Sequence, residues 1–358
     1  MLRRAPLAAA LAAAFLLLLW NVSVRQAVLF LVGIGMGATL AGYRFGFTTG
    51  WRQLIEQRDP RGAIGQLLLL GLAATLAMPL LGRFSELHAA LGPPSVSLLV
   101  GAFFFGLSMQ LADGCGSGTL YKAGLGVPLN MAILPLFALG SFLGSAQLNA
   151  WLSLGQIHPV SLVAEFGAGK ALALTWLALG ALAFAVRLWA GGERPWLSRS
   201  WAYGAVLLAV LASLNLAIAG QPCGVVYGFS LWAGKLITAA GWFDPAGNGF
   251  WGLAGNAQRL GESVLLDVTS ITDIGILAGA LWVSARTPAP GKALNAQQWA
   301  LGLTAGFVMG YSSRLAFGCN IGAMLSGIST GSLHGWIWLP MAFLGTTVGV
   351  RLRRRFQF

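Results

Sequence analysis

The chain has 358 residues, 57% of them hydrophobic and only 9% charged, with a mean hydropathy of +0.75. Soluble domains carry about a quarter charged residues, and no polar stretch here is long enough to build one. The formal net charge of +12 comes without a soluble basic module or an aromatic platform, so it argues against nucleic-acid binding and fits arginine-rich loops beside a membrane.

Apolar runs near the ~20 residues that cross a bilayer recur along the whole chain. They fall near 5–20, 27–50, 62–82, 94–124, 128–151, 170–189, 200–236, 271–285, 297–327 and 335–350. None shows the period-two alternation of a membrane barrel. The expected fold class is therefore an all-α polytopic membrane protein, a single transmembrane domain over 1–358. The first run begins like a secretory leader, but Trp20 and Asn21 stand where a small-residue cleavage site belongs. It reads as a first membrane helix.

Four of the ten runs are interrupted in the same way, by "AGYRFGFTTG", "ADGCGSGTLY", "AGQPCGVVYG" and "AFGCNIGAML". Stacked, they put Phe45, Cys115, Cys223 and Cys319 in one column and Gly46, Gly116, Gly224 and Asn320 in the next. This is an internal repeat. If each run crosses once from a cytoplasmic N-terminus, the inside loops collect Arg3, Arg4, Arg52, Arg58, Arg61, Arg187, Arg194, Arg199, Arg286 and Lys292. They also collect Arg351, Arg353, Arg354 and Arg355, against Arg25, Arg83, Lys170, Lys235 and Arg259 outside. That asymmetry obeys the positive-inside rule. It makes the architecture an inverted 5+5 repeat: one half is 1–151, the connector 152–169 and the other half 170–358. The four broken helices then meet at the centre, where such folds hold their substrates.

Non-helical backbone at membrane depth is tolerated only inside protein or beside a polar cavity. Each break starts a new helix, whose free N–H groups and positive dipole end favour an anion. Thr48, Thr49 and Ser117 add hydroxyls. The glycines of "GIGMG" (33–37) suit plain helix packing instead. Charged residues at this depth default to functional candidates. Arg44 and Arg314 offer a positive field, with Asp113 expected to pair with one of them; Lys122 is expected to snorkel to the interface. The three histidines receive no role. A thiol is a soft, weak hydrogen-bond donor, suited to a sulfur atom more than to chloride or a phosphate oxygen. No C-x-x-C occurs, so no metal site is expected, and neither a cofactor nor a catalytic residue is read. The absence of G-x-x-x-x-G-K-[ST] argues against built-in ATP coupling.

"FGFTTGWR", "ADGCGSGTLYKAG" and "FGCNIGAMLSGISTGSLHGW" resemble the signatures of the YeeE/YedE family of sulfur-compound transporters, over roughly residues 30–350. The resemblance implies a bacterial inner-membrane protein with an hourglass-like inverted repeat; the charge asymmetry puts both termini in the cytoplasm. It implies uptake of thiosulfate or a related sulfur or selenium anion, with Cys115 and Cys319 as relay points, and a TusA-like cytosolic sulfur carrier as partner. Where the family's first break carries a cysteine, this chain has Phe45. Two other readings are a sulfur-handling module passing persulfide sulfur to the carrier, and a non-transporting membrane subunit. The basic tail "RLRRRFQF" reads as a lipid contact.

Overall fold

The computed structural model describes residues 4–192, 194–286 and 293–358; Arg3 and Lys292, assigned above to inside loops, lie outside the described residues. The first part of the chain forms α1 (Arg4–Asn21), α2 (Val24–Gly42), α3 (Phe47–Gln57), α4 (Arg61–Arg83), α5 (Val96–Leu111), α6 (Gly116–Gly124) and α7 (Pro128–Ala146). Short helices α8 (Leu148–Leu152) and α9 (Leu162–Phe166) follow. Then come α10 (Ala168–Ala190), α11 (Arg199–Ala219), α12 (Val226–Ala239), α13 (Ala254–Gly261), α14 (Val268–Ser284) and α15 (Ala296–Leu315). The chain ends with a π-helical turn over Asn320–Leu325, α16 (Ser326–Ser329) and α17 (Leu333–Arg355). No strand occurs among the described residues, only the isolated bridges Ser95–Gln156 and Ser161–Ser332.

Among the described residues, eight segments are long and apolar enough to cross a membrane, two of them being the broken pairs α2–α3 and α5–α6. α14 is apolar but has only 17 residues. The protein is a multi-pass α-helical membrane protein. Its helix starts are written locally: Ser23, Ser95, Ser198 and Asp267 cap α2, α5, α11 and α14 through their side chains. Asn295 and Gln298 close a reciprocal capping box on α15.

Lipid offers no hydrophobic force between helices, so association rests on close packing through small residues. α2 lies against α14 so tightly that a β-carbon on Gly37 would stand 2.0 Å from the Ile276 carbonyl oxygen. Gly33 and Gly37 thus serve packing, as the sequence suggested. α7 meets α15 in the same manner, with Gly310 against Phe137, and α5 meets α17 with Gly345 against Phe103. In each pair the contact positions rise together. Gly33 and Gly37 face Thr272 and Ile276; Leu129, Ile133 and Phe137 face Gly302, Gly306 and Gly310; Phe103 and Leu107 face Gly345 and Gly349. These helices run parallel. α4 also packs along α11, with Gly62 beside Trp201 at one end and Ala73 and Ala77 beside Ala212 and Leu216 further along, again parallel. Arg4 stacks over Trp282 at the end of α14, and Phe358 lines one cavity with Val283 and Leu294. Both ends of the described chain therefore sit at one pole, called here the terminal pole.

Candidate functional site

Three of the breaks share one backbone. α2, α5 and α15 each end on a C-cap residue: Tyr43, Ala112 and Ala316. A left-handed residue follows in each: Arg44 (φ 51°), Asp113 (φ 51°) and Phe317 (φ 58°). The next N–H reaches back five residues: Phe45 to Leu40 at 3.0 Å, Gly114 to Met109 at 3.1 Å and Gly318 to Ser313 at 2.8 Å. That is the 6→1 closure of a Schellman turn. The residue after it caps the next helical element: Gly46, Cys115 and Cys319. The structural equivalent of the two cysteines is thus Gly46, and the column that stacked Phe45 on them is out by one position. Phe45 is fully buried, its ring 4.7 Å from that of Trp201 and 5.8 Å from that of Phe47. The third break is different again. It turns at Gly220 (φ 70°), and Val225, not Cys223, precedes α12.

Cys115 and Cys319 are both 0% exposed. The Gly118 N–H donates to the Cys115 sulfur at 3.4 Å, and Ser117 Oγ lies 3.5 Å from the same atom. Across from it, a β-carbon on Gly116 would stand 3.2 Å from the Cys319 sulfur. The backbone amides of Ser117, Ile321 and Gly322 lie near that sulfur, which makes no cap hydrogen bond. Two helix beginnings therefore face each other with a thiol on each. Cys319 is in electrostatic range of both Cys115 and Cys223. Cys223 touches Met36 Sδ at 3.8 Å and lines a narrow slot with Ser213, Ser326, Ser329 and Thr330. The order Cys223, Cys319, Cys115 crosses the interior. Gly224 adjoins Cys223. The Asn320 amide is buried and, among the described residues, neither of its atoms has a hydrogen-bond partner, and the same holds for the Thr48 and Thr119 hydroxyls.

On the terminal-pole side of Cys115 opens a cavity of about 770 Å³, lined among others by Arg44, Thr49, Asp113, Tyr121, Lys122 and Arg353. Asp113 does not pair with Arg44 or Arg314. It binds Lys122 Nζ at 2.7 Å, Arg52 Nη1 at 3.0 Å and Arg353 Nη2 at 3.2 Å. Lys122 also donates to the Asp113 carbonyl, so it does not snorkel away. One carboxylate against three cations leaves the cavity electropositive, and Arg44 adds a fourth cation at its wall.

Arg314 stands apart from this cluster. Its Nε donates to Ser145 Oγ at 2.7 Å, Ser145 lies 2.8 Å from Ser230 Oγ, and the guanidinium sits over the rings of Phe250 (4.9 Å) and Tyr227 (5.7 Å). Among the described residues it has no carboxylate partner. The cation is held by ring faces.

Sequence reasoning missed Arg52, Arg353, Tyr121 and Asp273. The first three lie in helices whose approach to Asp113 only the fold reveals. Asp273 carried a readable signal, a lone acid in the apolar run "VTSITDIGIL". No group of three or more potential metal ligands occurs among the described residues.

A family model described as Sulphur transport matches residues 44–348. The chain is 28% identical over 335 residues to the thiosulfate transporter TsuA of Spirochaeta thermophila, covering 88% of this chain and 95% of that one. It is 28% identical over 170 residues to the probable transporter YedE of Escherichia coli, and 26% identical over 176 residues to that of Salmonella typhimurium. Each of these two matches covers 46% of this chain and 40% of the relative. These relatives are transporters by name, and the extent of the family match includes all four breaks: the chain belongs to the YeeE/YedE sulphur-transport family of membrane proteins.

Proposed function

We propose that the protein takes up thiosulfate, or a related small sulfur or selenium anion, across a bacterial inner membrane. The two facing cysteine N-caps carry this reading. Helix N-termini attract the anion at ~0.3–1 kcal/mol each, while neutral thiols at Cys223, Cys319 and Cys115 donate S–H hydrogen bonds to its terminal sulfur in turn. The Asn320 amide and the Thr48 and Thr119 hydroxyls, which lack hydrogen-bond partners among the described residues, supply further polar contacts. Arg44, Lys122 and Arg353 hold the anion in the cavity beyond Cys115. Gly46, at the equivalent cap, carries no thiol, and a β-carbon there would stand 3.0 Å from Thr49 Oγ1. The likeness to TsuA over nearly the full length of both chains supports the substrate class.

The same reading takes the chain as two inverted halves, 1–151 and 170–358. An inverted repeat requires parallel helix pairs to occur as mates. α2 with α14 and α11 with α4 form one such set, α5 with α17 and α15 with α7 the other. Uptake of radiolabelled thiosulfate into proteoliposomes tests the transport reading. Wild-type protein is expected to exceed the Cys115→Ala, Cys319→Ala double variant at least tenfold; equal rates would remove the thiol relay.

A further inference from the structure

Asp273 on α14 is 0% exposed, and among the described residues neither carboxylate oxygen has a hydrogen-bond partner or a cation. α12 gives way to it: a β-carbon on Gly228 would stand 2.6 Å from Oδ2. The titratable groups that interact with it are Cys223, from the third break, and Asp267, at the cap of its own helix. The parallel neighbour α2 meets this stretch of α14 with Phe30, Gly33 and Gly37. From α11, Asn215 accepts a hydrogen bond from Thr272.

A polar ladder leads toward Asp273. Asp267, Ser270 and Asp273 recur every three residues, along one flank of the helix. Both the N–H and the Oγ of Ser270 donate to Asp267 Oδ2 at 2.7 Å. Asp267 in turn lines a polar cavity of about 150 Å³ with Arg25, Arg259, Glu262 and Ser263, at the end of α14 away from the terminal pole. Lys235, beside this mouth, is engaged by the carbonyls of Leu260, Arg259 and Glu262. Ser270 Oγ also accepts from Trp232 Nε1, so the bonded ladder ends at Ser270, and Asp273, next to Cys223, lies one helical turn beyond it.

We propose that Asp273 is a proton-coupling site for anion uptake, loaded through Asp267 and Ser270. The inference rests on the transport reading above: thiosulfate carries two negative charges, so accumulation in a negative interior requires positive charge to move with it. A bare carboxylate in a dry interior is costly, so the sealed conformation holds Asp273 as the neutral acid. A hydronium ion at the mouth gives one proton to a carboxylate oxygen and is left as water. That O–H bond breaks when the site opens toward the terminal pole, the proton passes to water there, and the carboxylate is restored. No electrons are exchanged.

The test uses proteoliposomes of wild-type, Asp273→Asn and Asp267→Asn protein, with labelled thiosulfate and an internal pH dye. An inward proton gradient is expected to raise wild-type uptake at least fivefold and to acidify the lumen in step with uptake. Asp273→Asn, which resembles the neutral acid in shape, is expected to lose both responses yet retain thiosulfate exchange between loaded liposomes and medium. That exchange shows that the variant is folded. Asp267→Asn is expected to weaken the gradient response at least threefold. An undiminished proton response in Asp273→Asn overturns the proposal, as does a wild type driven by sodium and indifferent to pH. Wild-type protein lacking both uptake and exchange overturns the transport reading, and this one with it.

Discussion

At the residue scale, Asp113 is the hinge of the charge arrangement around the large cavity. Its three cations come from positions 52, 122 and 353, on α3, α6 and α17, and their side chains are only 14–18% exposed. Removing one partner of a buried ion pair costs about 3–5 kcal/mol; with solvent reaching 27% of the Asp113 side chain, Asp113→Asn is expected to cost about 2–3 kcal/mol. Thermal unfolding in detergent measures it. The sequence placed Asp113 correctly at a break and named the wrong partners, because partners 61 and 240 positions away are set by helix packing that no local pattern encodes. A second carboxylate makes a pH prediction. Asp59, between α3 and α4, accepts hydrogen bonds from the Arg61 side chain and backbone. The Arg61 hydrogen bond holds its acid below the ordinary carboxylate value, with burial opposing. Its stabilising contribution is therefore full above the unfolded value of ~3.9 and is lost as pH falls through the lower folded value. Asp59→Asn is expected to unfold at lower temperature than wild type at pH 7, with the gap closing progressively below pH 4. A gap that stays constant down to pH 3 would contradict the assignment.

At the element scale, the breaks are legible in sequence because glycine, cysteine and charge interrupt runs that are otherwise greasy, and two of them, at Cys115 and Cys319, begin a new helical element on the residue that the motif marks. The register is less legible. Phe45 and Gly46 differ in chemistry from a cysteine to the same degree in a stacked alignment, and only the left-handed residue two places before the cap identifies Gly46 as the equivalent. The third break escapes the pattern because Gly220 and Pro222 turn the chain without that left-handed side chain. The parallel helix pairs were not legible either, since a glycine in a membrane helix does not announce its neighbour. They can be tested by filling the contact. Gly310→Ala would put a β-carbon 2.1 Å from the Phe137 carbonyl oxygen, a backbone atom that cannot swing aside, so a loss of about 1–3 kcal/mol is expected. Gly180→Ala in α10, where a β-carbon meets nothing within 4 Å, is expected to be neutral or slightly stabilising. Comparable losses at both sites in a thermal-stability assay would mean that the backbone contact at Gly310 does not set the effect.

At the scale of the whole molecule, charge and packing bear on orientation independently. Arg4 on Trp282, and Phe358 in the cavity beside Leu294, bring the chain ends to one pole without reference to any membrane. The ion pairs from Arg52 and Arg353 to Asp113, from Arg354 to Glu56 and from Arg61 to Asp59 lie on α3, the start of α4 and the end of α17, the segments that the sequence reading assigns to the inside. Under the uptake proposed above, the positive-inside rule assigns the terminal pole, with its electropositive cavity, as the exit for the anion. A fluorescent protein that matures only in the cytoplasm, fused after Phe358, is expected to be bright. An alkaline phosphatase inserted between Gly241 and Leu253, in the loop between α12 and α13, is expected to be active because it is exported. The inverse pattern would turn the molecule over: the large cavity would become the entrance, the Cys223 slot the exit, and Asp113 with its cations would act as a collector for the anion.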